Sequence, residues 1–267
     1  MIKLLCIDID GTLLNSSKEL PHKNQAAVRY ALEHDVTVAI ASGRSISGIE
    51  PFLSALGIGR CAVCLNGGLI LCKKIIHQTI MPETQIMKIL DQAERFRSQI
   101  FLSTAEFNIT NGEISPHLKE LIEKGSLRSD YRYCSGYEEL RTAAHLHRDK
   151  IIKVAIKEVD EDNFDQLKQA LIDMQQFHVV KSDDFFVDVS PIGENKGKGV
   201  ALLADYLSIP MGQVMCIGDN ENDLEMIQAA GIGVAMGNAV ETVKKAAVYV
   251  TGDNDHAGTA EAIYQFI

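Results

Sequence analysis

The feature that most constrains this chain is an apolar run that ends in acid. Residues 2–9 read IKLLCIDI, and the run breaks at Asp8-Ile9-Asp10-Gly11-Thr12. An almost unbroken apolar stretch, without the alternation of a half-exposed strand, predicts a central parallel strand buried on both faces. The chain continues in the same rhythm. It predicts a helix over 22–34, a strand VTVAIAS over 36–42, a helix over 45–56 and a strand CAVCL over 61–65. Strands alternating with helices imply a parallel sheet flanked by helices. A hairpin of LILC and IIHQT around Lys73-Lys74 is expected next.

The rhythm then lapses and later returns. Pro82 opens a helix over 82–97, followed by strands near 100–103, 106–110, 151–157, 177–181 and 185–189 and helices at 115–124, 136–147 and 160–175. That mixture reads as an α+β module. The βα pattern resumes with a helix over 196–207, strand VMCIG (214–218), helix 221–229, strand IGVAM (232–236), helix 239–246, strand AVYV (247–250) and a last helix. The fold class is therefore α/β: a Rossmann-like parallel-sheet core domain from residues 1–82 and 189–267, with an inserted α+β domain at 83–188. Linkers near 81–83 and 188–191 would form a hinge between the two.

Chemistry concentrates where strands end, which is where open α/β sheets bind ligands. Asp8 and Asp10 crowd two carboxylates at one strand end, and such crowding needs a cation or a shared proton to relieve it. Far along the chain, Gly218-Asp219-Asn220-Glu221-Asn222-Asp223 follows another strand directly. A helix cap explains one Asn or Asp there, but not the whole run. Acids from two strand ends suit a hard cation with oxygen ligands, and Mg²⁺ fits best. Ser42-Gly43-Arg44 ends the second strand ahead of a helix, offering a hydroxyl and backbone N–H groups to an anion. Lys196 opens a further helix.

Bulk properties narrow the partners. A formal net charge of −10 argues against nucleic acid, although a bound metal can still admit a phosphorylated ligand. No apolar run approaches the roughly 20 residues of a membrane-spanning helix, and no secretory core precedes Asp8, so a cytoplasmic protein without membrane contact is expected. The six cysteines are expected as free thiols, with Cys61 and Cys64 pointing to opposite faces of their strand. Gly193-Glu194-Asn195-Lys196-Gly197-Lys198-Gly199 falls short of a phosphate-binding P-loop, having one residue too few between its glycines and no Ser/Thr after the lysine. No GxGxxG follows the first strand, which removes a dinucleotide site.

The order DxDGT, strand-end Ser, Lys, GDxxND resembles the haloacid dehalogenase superfamily of phosphohydrolases. The long insertion and Asn66-Gly67 after the third strand look like its Cof-type branch. The resemblance implies a large α/β cap at 83–188 and a Mg²⁺-dependent phosphatase for a small phosphorylated metabolite, such as a sugar phosphate. It implies Asp8 as the nucleophile and Asp10 as general acid and then base. It makes Asp8, the Asp10 carbonyl and Asp219 metal ligands, with Asp223 behind them. Ser42, Gly43, Lys196 and Asn222 would hold the phosphoryl oxygens, supported by Gly11, Thr12, Arg44 and Asn66. A resembling acidic loop at Asp253–Thr259 is given no catalytic role, because Thr259 stands where an apolar residue is common. Two other functions stay open from sequence: a phosphomutase or phosphotransferase sharing the intermediate, and a phospho-ligand sensor without turnover.

Overall fold

The computed structural model describes residues 1–114, Lys119 and 130–267, and its contacts divide the chain into two units. The first comprises residues 1–42, 52–77 and 195–267. The second comprises 43–51 and 78–194. The boundaries read from sequence, 82/83 and 188/189, thus fall inside the second unit, and residues 43–51 group with it as well.

In the first unit, β1 (Leu4–Ile7) is buried at every position, as its unbroken apolar pattern requires. It lies between β2 (Thr37–Ala41) and β12 (Val214–Gly218), and both pairings are parallel. The sheet runs β14-β13-β12-β1-β2-β3-β4-β5, with β3 (Cys61–Cys64), β4 (Leu69–Cys72), β5 (Lys74–Gln78), β13 (Ile232–Ala235) and β14 (Tyr249–Val250). Strands added after β1 spread to one side of it, and those added late spread to the other. The strand order therefore reverses at β1/β12, the place where open α/β sheets leave a crevice at the carboxyl ends of their strands. The register Ile7↔Ile217 brings the ends of these two strands level. Five helices belong wholly to this unit: α1 (His22–Glu33), α6 (Lys196–Tyr206), α7 (Leu224–Ala229), α8 (Glu241–Ala246) and α9 (Gly258–Phe266). Helix α2 (Ile46–Leu56) straddles the division at Pro51/Phe52.

The antiparallel pair β3/β4 corrects one expectation. Cys61 faces Cys72, and the two form a disulfide, while Cys6, Cys64, Cys134 and Cys216 are free. Lys73 N–H donates to the Arg60 carbonyl (2.8 Å), so the next pair, Cys61/Cys72, is the closely spaced one without ladder hydrogen bonds. Only strand register shows this, because the two residues are 11 apart in sequence.

The second unit is built on a sheet of order β10-β11-β9-β6-β7-β8. Its strands are β6 (Gln99–Ser103), β7 (Phe107–Thr110), β8 (Asp130–Tyr133), β9 (Lys153–Lys157), β10 (Phe177–Asp183) and β11 (Phe186–Pro191). Helices α3 (Glu83–Phe96), α4 (Tyr137–Leu146) and α5 (Glu161–Asp173) bury Ile89, Leu140 and Leu167 in one core with Leu102, Val154 and Val189 of the sheet. Period-two alternation then puts Ser103, Lys153 and Asp188 on the other face. There Lys153 Nζ meets Asp188 Oδ2 at 2.7 Å, both side chains buried. Strand β8 was not expected, since DYRY lacks an apolar alternation; it pairs parallel to β7 at the sheet edge. The helix expected at 115–124 lies, but for Lys119, outside the described residues.

Candidate active site

Four of the segments singled out by sequence meet in the first unit. Asp8 is the residue after β1, and its N–H donates to the Ile217 carbonyl at 3.0 Å. Asp219 follows β12, and Asp223 sits one turn further on. Lys196 is the first residue of α6, whose N-cap Asn195 accepts from Lys198 N–H at 2.8 Å. Lys196 is fully buried, and its Nζ donates to Asp8 Oδ1 and to Asp223 Oδ1, each at 2.6 Å. Asp223 is held on both oxygens, because its Oδ2 accepts from the N–H groups of Asp219 (2.9 Å) and Asn220 (3.1 Å). Asp219 Oδ1 accepts from Thr12 Oγ1 at 2.7 Å. Among the described residues, Asp8 Oδ2 and Asp219 Oδ2 carry no hydrogen bond.

Carboxylate oxygens of Asp8, Asp219 and Asp223 lie within 4.8 Å of one another. Burial pushes the Asp8 carboxyl up to about 7; Lys196 pulls it back, while Asp223 and Asp10 add to the rise. Asp219 is raised too, by burial first and then by the charges of Asp8 and Asp223. Burial alone would lower Lys196, but Asp223 and Asp8 overcome it and hold the ammonium charged. Three carboxylates against one ammonium leave negative charge in excess. Two open oxygens and all-oxygen donors are the arrangement a hard divalent cation takes.

The turn after β1 aims these groups. Two backbone bonds, Leu13 N–H to Asp8 O (3.2 Å) and Leu14 N–H to Ile9 O (3.0 Å), close over residues 9–13. Gly11 sits there at φ +80°, where a Cβ would collide with the Asp219 carboxylate, so only glycine fits. Asp10 is not one of the three clustered acids, and its Oδ1 accepts from Lys18 Nζ at 3.2 Å. Lys18 was not anticipated, and a lone lysine beside a polar turn gives no sequence signal.

Ser42 ends β2 buried; its N–H donates to Val63 O (2.8 Å), and its carbonyl accepts from Asn66 N–H (3.2 Å). Asn66 Oδ1 accepts from Asn222 Nδ2 at 3.3 Å. Gly67, at φ +93°, lets the turn press on the Asn195 carbonyl, just ahead of Lys196. Gly43 and Arg44 group with the second unit.

Known proteins carry the same plan. The chain matches the family of haloacid dehalogenase-like hydrolases over residues 5–263. It is 28% identical to the phosphatase YwpJ of Bacillus subtilis (strain 168) over 282 residues, covering 97% of this chain and 98% of that one. It is 26% identical to the same organism's 5-amino-6-(5-phospho-D-ribitylamino)uracil phosphatase YcsE, covering 100% and 96%. Among solved structures, a haloacid dehalogenase-like hydrolase from Bacteroides thetaiotaomicron superposes with a TM-score of 0.81 at 29% identity, over the full length of both chains.

Proposed function

The chain belongs to the haloacid dehalogenase-like hydrolases and is a phosphoric monoester hydrolase, and from that premise we propose that it is a Mg²⁺-dependent phosphatase working through an aspartyl-phosphate on Asp8. The observation that carries this reading is the Asp8 carboxylate, held through Oδ1 by buried Lys196 and clustered with Asp219 and Asp223 where β1 ends. A carboxylate immobilised in this way is an oriented nucleophile.

Asp8 and Asp219, with the Asp10 carbonyl, would hold Mg²⁺, and Asp223 would steady the site from behind through Lys196 and two backbone N–H groups. When bound, the ion offsets the repulsion between a phosphate dianion and a carboxylate. Asp8 attacks phosphorus as the ester oxygen leaves with a proton from Asp10. Asp10 then takes a proton from the water that cleaves the acyl phosphate, which frees inorganic phosphate and restores Asp8. Lys196 keeps its positive charge against the phosphoryl oxygens, with Ser42 and Asn222 beside it. Thr12, Gly11 and Asn66 would hold the backbone around these groups.

The substrate is a small phosphorylated metabolite, a sugar phosphate or a similar phosphomonoester. One relative's action on a phosphorylated ribityl compound supports an ester of a polyol. Residues 83–188 would form the cap that selects it.

The test is phosphate release from p-nitrophenyl phosphate. Turnover should require Mg²⁺ and stop with EDTA, and Asp8→Asn should lower it by about 10³-fold or more while the protein stays folded. An Asp8→Asn protein with normal turnover would end this reading. Phosphate released only when an acceptor alcohol is present would instead favour a phosphotransferase.

A further inference from the structure

The turn that carries Asp10 cannot satisfy its own backbone. Asp10 (φ −81°, ψ 118°) and Gly11 (φ 80°, ψ −3°) leave helical geometry, so its later carbonyls have no partner in a regular ladder. Four successive carbonyls are instead each taken by a side chain from outside the turn, three of them from more than 200 residues away. Asn238 Nδ2 donates to Gly11 O (2.8 Å), Thr259 Oγ1 to Thr12 O (2.8 Å), Asn24 Nδ2 to Leu13 O (2.9 Å) and Asn254 Nδ2 to Leu14 O (3.0 Å). The donors are themselves tied together. Asn254 N–H donates to Asn238 Oδ1 (3.0 Å), and Ala260 N–H donates to Asn24 Oδ1 (3.2 Å). Just beyond the turn, Asp255 Oδ1 accepts from the N–H (2.9 Å) and Oγ (2.8 Å) of Ser16.

Satisfying a carbonyl needs only one donor placed near the plane of the C=O, and any neighbouring group can supply it. Here every carbonyl from 11 to 14 is met, and three of the four donors come from residues 238–259, the stretch that contains the acidic loop given no catalytic part by sequence. The clamped residues are the ones whose placement decides the site. Thr12 reaches Asp219 Oδ1, Gly11 lies against the same carboxylate, and Asp10 hangs between Asp8 and Gly11. Loosening any carbonyl would let the turn rotate and move the Asp10 carboxyl.

We propose that Asn24, Asn238, Asn254 and Thr259 are positioning residues that clamp the 11–14 carbonyls, so that segments on both sides of the second unit set the aim of the acid/base Asp10. The inference rests on the phosphatase reading above. Misplacing a reacting group by a fraction of an ångström slows the chemical step while leaving substrate binding nearly intact.

Thr259→Val keeps the side-chain shape and removes only the hydroxyl. It should lower kcat on p-nitrophenyl phosphate about tenfold with KM within about twofold, and Thr259→Ser should restore it. Asn238 is exposed, so Asn238→Ala will fold, and it should act in the same direction. Both are assayed well below the thermal midpoint of each variant, with Asp8→Asn in parallel. Variants that melt earlier but keep the wild-type kcat, beside an inactive Asp8→Asn, would overturn the clamp and leave the phosphatase reading standing. An active Asp8→Asn would take both down.

Discussion

Two lysines are buried among the described residues, one in each unit, and their settings are opposite in kind. Lys153 begins β9 and meets a single carboxylate, Asp188, on the neighbouring strand β11. One ammonium meets one carboxylate there, and the pair sits within an antiparallel sheet whose strands hold both residues in register. Lys196 opens α6 at the carboxyl ends of parallel strands and meets two carboxylates, with Asp219 close by. Carboxylates outnumber the ammonium there, and among the described residues the Oδ2 atoms of Asp8 and Asp219 carry no hydrogen bond. A matched buried pair accounts for itself as structure. A buried lysine among surplus acids is the setting in which we propose that a further cation binds.

The contrast can be broken from either side. The largest effect is expected from Lys196→Met, which frees Asp8 and removes the charge opposite the phosphoryl group; kcat should fall by on the order of 10³–10⁵-fold, read by phosphate release. Lys153→Met should leave Asp188 buried with its lysine gone and destabilise the protein by about 3–5 kcal/mol in urea unfolding. Adding Asp188→Asn should recover part of that loss. If Lys153→Met costs no stability, the matched pair is not the structural element described above.

The smallest effect sharpens the comparison. Mg²⁺ at about a hundred times its dissociation constant should stabilise the wild type by about 2.7 kcal/mol, seen as a higher thermal midpoint, because the unfolded chain lacks the assembled acids. Asp219→Asn should lose that gain. The Lys153→Met, Asp188→Asn protein should keep it, since its changes lie outside the acid cluster.

Much of this was legible from residues alone. The apolar run at 2–9 gave a central strand, and the acids ending it and the strand at 214–218 came together because both strands are parallel neighbours of matched register. In the run at 219–223, Asn220 and Asp223 form a capping box, and Asp223 also accepts from Lys196. Other parts left little trace. DYRY forms the edge strand β8 through backbone pairing, which sequence periodicity does not encode. Cys61 and Cys72 meet through strand register, and Lys18 reaches Asp10 from a turn in which it adopts φ +60°. The loop at 253–259 carries no catalytic expectation from its residue types, and its hydrogen bonds from Asn254 and Thr259 fall on carbonyls, which every residue possesses.

Residue types and their local spacing determined which elements form and which of them end in acid, because burial pattern and turn chemistry act over a few neighbouring residues. Which distant side chain meets which carboxylate or carbonyl was decided only by the folded chain. A hydrogen bond depends on tenths of an ångström in space, and that distance is set by the packing of every element between the two partners.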